Sequence, residues 1–211
     1  PMMSLQMEEP GEEAFQKKFD NIIQVAQEKG MNALIVHVRP YGDALYPSEY
    51  FPWSHIVSGT QGVDPGFDPL AYMVEATHQA GMEFHAWVNP LRIQSGAALS
   101  ILSQDNPYQQ WKGDEAKKGW TVETDSGIYY NPAYEGVRSY IAEGVAEIVR
   151  NYDVDGVQFD DYFYPTQDAS FDKAAYEAYT AASKKAGDAV LSLEDWRKAN
   201  INALVSLVYQ K

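Results

Sequence analysis

The sequence contains no cysteine. Thiolate chemistry, cysteine zinc sites and disulfides are thereby excluded, although this does not fix the compartment. Basic residues are scarce: 16 Lys and Arg stand against 30 Asp and Glu, a formal net charge of −14. Phosphate backbones and anionic lipid repel such a chain, so nucleic acid and membrane surfaces are poor candidates for partners. The plain reading of the acidity is solubility. No apolar run approaches the roughly 18 residues that suggest a transmembrane helix, so no membrane insertion is expected. The opening Pro1-Met2-Met3-Ser4-Leu5-Gln6-Met7 lacks the basic flank and long apolar stretch of a signal peptide. Internal repeats, a phosphate-binding glycine loop and a serine nucleophile elbow are also missing. Around Phe84 to Arg92 no pair has zinc-ligand spacing, and no metal and no cofactor is expected.

What is present is globular. Hydrophobic residues make up 45% of the 211 residues and charged residues 22%, enough apolar material for one ordinary domain over 1–211. Aromatics are the unusual item, with 15 Tyr, 5 Trp and 8 Phe. Many fall in stretches that read as loops. Aromatic faces with polar edges suit sugar rings, which present C–H patches and hydroxyls; the alternative is that tyrosine is simply common in folded cores.

Periodicity predicts helices alternating with short apolar strands. Glu12 to Lys29 places Phe15, Phe19, Ile22, Ile23 and Ala26 on one face, with Gly30 where a terminating glycine belongs. A strand follows over Ala33 to Val38. Asp68-Pro69 opens a helix that ends near Ala80, and Glu83 to Val88 is the next strand. Asn131-Pro132 repeats the cap signal for a helix that ends near Asn151. Val154 to Phe159 is the third strand. A shorter helix is expected around Phe171 to Lys185. Ser192-Leu193-Glu194-Asp195 resembles a capping box opening a last helix with Trp196, Leu204, Val205 and Val208. The pattern implies βαβ units and a parallel sheet. Helix-to-strand links are short, whereas strand-to-helix links run over 39–67, 89–130 and 161–191. Nearly all irregular chain therefore gathers at the C-terminal edge of the strands, where such folds place their sites.

Three strand ends carry the candidate chemistry. In Val154-Asp155-Gly156-Val157-Gln158-Phe159-Asp160-Asp161-Tyr162-Phe163-Tyr164-Pro165, an apolar strand stops at two carboxylates followed by aromatics. Adjacent residues point to different sides, so one carboxylate can face the axis of a barrel while the other braces the loop. Asp160 and Asp161 are the candidate acid, base or nucleophile, with Tyr162 and Tyr164 beside substrate; alternatively either aspartate caps a turn. In Val36-His37-Val38-Arg39-Pro40-Tyr41-Gly42-Asp43-Ala44, the period of two puts His37 and Arg39 on one side. Both are candidate substrate contacts, with Asp43; alternatively Arg39 is structural and paired with Asp43 or Asp160. In Phe84-His85-Ala86-Trp87-Val88-Asn89-Pro90-Leu91-Arg92, one side carries His85, Trp87 and Asn89. Trp87 suits a sugar platform and Asn89 a ring hydroxyl, with Arg92 a further contact; His85 reads equally well as a core histidine. Within Tyr50-Phe51-Pro52-Trp53-Ser54, Trp53 is a subsite candidate. The loops also carry Tyr46, His55, Trp111, Trp120, Tyr129, Tyr130 and Asn131.

As an ordered set these motifs resemble the bacterial glycosyl-hydrolase-like family ten. The residues concerned are His37-Val38-Arg39-Pro40 with Gly42-Asp43-Ala44-Leu45-Tyr46-Pro47-Ser48, Ala86-Trp87-Val88-Asn89-Pro90, and Asp155-Gly156-Val157-Gln158-Phe159-Asp160-Asp161-Tyr162. The similarity runs from about Ser4 onward. It implies a (β/α)8 TIM-type barrel in exported or lipid-anchored bacterial proteins. It also implies glycosidase action on an oligo- or polysaccharide, cell-wall (peptidoglycan-type) glycan among them. A closed barrel needs roughly 250 residues. The chain therefore reads as part of one, truncated at both ends and holding about strands two to four. A second catalytic carboxylate is then expected outside it. The competing expectation is a non-catalytic glycan-binding barrel module. Open sheet edges also lead us to expect a homo-oligomer.

Overall fold

The computed structural model describes Leu5 and residues 11–96 and 101–211. Apart from Leu5, the opening segment read for a leader lies outside the described residues. Helix α1 (Glu12–Glu28) forms because Phe15, Phe19, Ile23 and Ala26 recur every three or four residues and bury one stripe. It ends in a Schellman turn. The Gly30 N–H donates to the Gln27 carbonyl and the Met31 N–H to the Ala26 carbonyl, with Gly30 at φ 68°. The chain returns at once as strand β1 (Ala33–Arg39). After a long loop holding the short helix α2 (His55–Ser58), helix α3 (Pro69–Gln79) starts where the Asp68 side chain accepts the Ala71 N–H. The same turn at Gly81 closes α3 and leads into β2 (Glu83–Val88). These tight caps explain why the helix-to-strand links are so short.

The segment after β2 is more ordered than its sequence suggests. It contains β3 (Arg92–Ser95), the five-residue helix α4 (Pro107–Trp111), a 3-10 turn, β4 (Thr121–Thr124) and β5 (Gly127–Tyr130). The three strands form an antiparallel sheet in the order β3-β5-β4. Each spans four residues, too few for alternation to stand out. Helix α5 (Glu135–Asn151) begins later than expected, after an N-cap at Tyr134. Asn131 does not cap it. Its Oδ1 accepts the Ala133 N–H, so Asn131-Pro132 closes a separate turn first. Strand β6 (Gly156–Phe159) follows, then α6 (Lys173–Ala186) and α7 (Leu193–Gln210). Ser192 caps α7, its Oγ accepting the Asp195 N–H at 3.1 Å.

Strands β1, β2 and β6 form one parallel sheet in the order β1-β2-β6. Leu34, Val36 and Val38 of β1 and Phe84, Ala86 and Val88 of β2 join the apolar side chains of α1, α3 and α5 in one core. Full burial of such a side chain contributes about 1.5–3 kcal/mol. The opposite face carries His37, Trp87 and Gln158 at one level and Ile35, His85 and Gly156 at the next. Ile35 is 52% exposed there. Helices packed against one face of neighbouring parallel strands make this part of a (β/α)8 barrel, and the second face is the one that lines a barrel's interior.

Candidate active site

The end of β1 decides which side chains reach the site. His37 stands opposite Trp87, but the next paired residue is Arg39, opposite Val88. This irregularity at Val38 breaks the period of two and turns Arg39 to the helix side. The expectation that His37 and Arg39 share one side is corrected accordingly. Arg39 is 1% exposed and lies 4.2 Å over the Phe51 ring. It also presses on Gly144 of α5, where an added Cβ would meet Nη1 at 2.6 Å. No ion pair joins it to Asp43 or Asp160. Burial pushes the hydroxyls of neighbouring Tyr46 and Tyr130 far above the ordinary tyrosine range, and the guanidinium opposes this. Arg39 is thus a strut behind the site. Asp43 is buried too: its Oδ2 accepts Gln61 Nε2 at 2.9 Å and pairs with His55 Nδ1 at 3.4 Å.

On the interior side, the His37 and Trp87 rings stack at 4.0 Å with planes 8° apart. One face of Trp87 is therefore covered. Its indole N–H is buried without a protein partner, as is His37 Nε2. Asn89 donates from Nδ2 to the Pro40 carbonyl at 3.4 Å and keeps Oδ1 unpartnered. Burial depresses His37 to about 4, Arg92 adds to this, and Asn89, Asp160 and Asp161 oppose it. The imidazole is therefore neutral at neutral pH.

Asp160 and Asp161 stand where β6 ends. Asp160 is exposed. Its Oδ1 accepts the Asp161 N–H at 2.8 Å. Asp161 is paired to Arg92 Nη2, delivered from β3. Tyr162 and Phe163 follow, both exposed. His37, Trp87, Asn89, Arg92, Asp160 and Asp161 thus form one group: an open carboxylate, a neutral imidazole, a guanidinium and unpartnered donors and acceptors. Such a set can hold hydroxyls and move a proton.

The other expected contacts lie elsewhere. His85 sits four residues below Asn89, roughly 13 Å along the strand. There it bonds Glu83 at 3.0 Å, over Gly156, whose missing side chain leaves room for the ring. Trp53 lines a separate cleft of about 360 Å³ with Tyr50, Asp105 and Gln110. Tyr164 bonds Asn200 at 3.2 Å and lies against Arg197. A larger cleft, about 740 Å³, runs between 163–167 and the first turns of α7.

Two structural devices escaped the sequence reading. Glu147 is buried on α5 and accepts Ser48 Oγ at 2.6 Å and the Glu49 N–H at 2.7 Å, tying down the loop after β1. A carboxylate inside an apolar helix stripe was its signal. Arg197 of α7 grips Asp172 through Nε and Nη2 at 2.9 and 2.6 Å. It also donates to the carbonyls of Thr166, Gln167 and Asp168. Nothing in the spacing marks that pair.

The family profile described as Glycosyl hydrolase-like 10 matches residues 7–211. Glycosyl hydrolase YngK of Bacillus subtilis (strain 168) is 40% identical over 198 residues, covering 92% of this chain and 36% of the relative. Glycosyl hydrolase DigH of Escherichia coli (strain K12) is 34% identical over 187 residues, covering 86% and 41%. The chain therefore spans about two-fifths or less of the length of these curated relatives. Among solved structures, Alpha-L-fucosidase isoenzyme 2 from Paenibacillus thiaminolyticus aligns with a TM-score of 0.58 at 17% identity, over 91% of this chain and 27% of its own. At that identity the likeness is one of fold.

Proposed function

This chain belongs to the glycosyl hydrolase-like 10 family, and from that premise we propose that it carries part of the active site of a glycoside hydrolase acting on cell-wall glycan. The observation that carries the reading is the open Asp160 carboxylate at the C-terminal end of a barrel strand, beside the neutral His37 and the free indole N–H of Trp87. In this reading Asp160 meets the glycosidic bond as acid, base or nucleophile, and His37, Trp87 and Asn89 hold sugar hydroxyls. Neutral polar contacts suit an uncharged, hydroxyl-rich ligand. Export accompanies the reading, because cell-wall glycan lies outside the cytoplasmic membrane.

Asp160→Asn in the full-length protein is expected to lower release of reducing ends from cell-wall glycan by about 10²–10⁴-fold, with the fold kept by circular dichroism. Undiminished release sinks the assignment. One observation favours a second reading. Glycosidases use two carboxylates, and Asp161 is already engaged by Arg92. A non-catalytic glycan-binding barrel needs no second carboxylate; retained glycan affinity with no turnover in the full-length protein identifies it.

A further inference from the structure

We infer that Arg92 and Asp161 form a latch that aims a backbone N–H at Asp160, so that Asp160 alone meets substrate while Asp161 and Arg92 position it. For its effect on turnover the inference rests on the glycosidase reading above. Among the described residues Asp161 is the one non-glycine with positive φ, at 52°. Aspartate enters this left-handed region more readily than most residues, but still at a cost, and such strain persists only where surrounding structure enforces it. Here the enforcing contact is the Arg92 ion pair to Asp161 Oδ2. Arg92 is itself held opposite Tyr129 in the antiparallel sheet.

The strained conformation has a product. The Asp161 N–H donates to Asp160 Oδ1 at 2.8 Å. A donor at one oxygen fixes the orientation of a carboxylate that is otherwise exposed. The side chain of Asp161, in contrast, is occupied by the guanidinium. The two adjacent aspartates thus divide the work: one carboxylate is presented and the other anchors the turn that presents it. This also gives the β3-β5-β4 sheet a task, since it carries Arg92 across to the end of β6.

The test separates backbone from side chain. Glycine adopts the left-handed turn without strain, so Asp161→Gly keeps the N–H aimed although the anchor is gone. Asp161→Val resists that turn. In the full-length protein, Asp161→Val and Arg92→Ala are expected to lower kcat for reducing-end release about ten- to a hundred-fold, with KM little changed. Asp161→Gly loses less than Asp161→Val. Arg92→Lys, which keeps the cation without the fork, restores part of the Arg92→Ala loss. Arg92→Ala adds little to Asp161→Gly, because the two act as one unit. If Asp161→Gly is as inactive as Asp160→Asn, the Asp161 carboxylate does chemistry itself and the latch is overturned. A second readout needs no turnover. By NMR, the amide proton of residue 161 should shift strongly as the Asp160 carboxylate titrates in the wild type and in Asp161→Gly, and far less in Arg92→Ala or Asp161→Val. An unchanged response in Arg92→Ala overturns the latch. If that pattern holds while the wild type releases no reducing ends, the glycosidase reading fails and the latch stands.

Discussion

Two histidines on neighbouring segments respond to pH in opposite senses. His37 is depressed from 6.5 to about 4, chiefly by burial. Between those values the unfolded chain binds the proton and the folded chain does not, so stability falls as pH drops from 6.5 towards 4. Thermal melts across that window should therefore slope less steeply for His37→Gln than for the wild type; parallel slopes would show that His37 is not the buried neutral group described. His55 is raised, first by its hydrogen bond to Asp43. Its contribution is complete below 6.5 and is lost as pH rises through the elevated value. The stability difference between wild type and His55→Gln should accordingly be largest below pH 6.5 and shrink above it. Urea midpoints measured in steps through this range decide the point.

At the scale of elements, irregular features place the site. One break in register at Val38 sends Arg39 behind the sheet while His37 stays in front. The loop between β6 and α6 is held by a buried ion pair, Asp172 at 2% exposure and Arg197 of α7 at 8%. Removing one partner leaves the other charge buried and leaves the 166–168 segment without its anchor. Asp172→Ala should cost about 3–5 kcal/mol, read as a lower urea midpoint, whereas Lys198→Ala, in an exposed pair with Glu194 on the same helix, should change stability little. Both helix-to-strand glycine turns were legible, because a Schellman cap needs glycine at one position and the apolar periodicity ends beside it. The β3-β5-β4 sheet was not legible. Its strands are short, and although β4 and β5 pair as a tight hairpin, β3 joins β5 from more than thirty positions away, as with Arg92 and Tyr129.

For the whole molecule, the parallel sheet leaves its two outer strands open. Among the described residues β1 and β6 each pair only with β2. The interior face presents Ile35 at 52% exposure. Open edges and uncovered apolar surface favour association. We therefore expect concentration-dependent self-association of this chain in light scattering, weakened by Ile35→Lys. A strictly monomeric species at all concentrations would refute it.

The sequence alone determined the alternation of helices and strands, because apolar spacing and cap residues act over a few positions. It located the rim, because long loops on one side of every strand can only gather at one end of a parallel sheet. It pointed to Asp160 and Asp161, because an apolar strand that stops at two carboxylates is conspicuous. Tertiary structure decided how those residues are used. The period of two predicts side-chain direction only while the register is unbroken, so the turning of Arg39 was invisible. Stacking of His37 on Trp87 depends on two strands meeting in register, and it covers one face of the indole. The separation of the paired aspartates into an open carboxylate and a braced one rests on Arg92, brought from a sheet that sequence reading took for a loop.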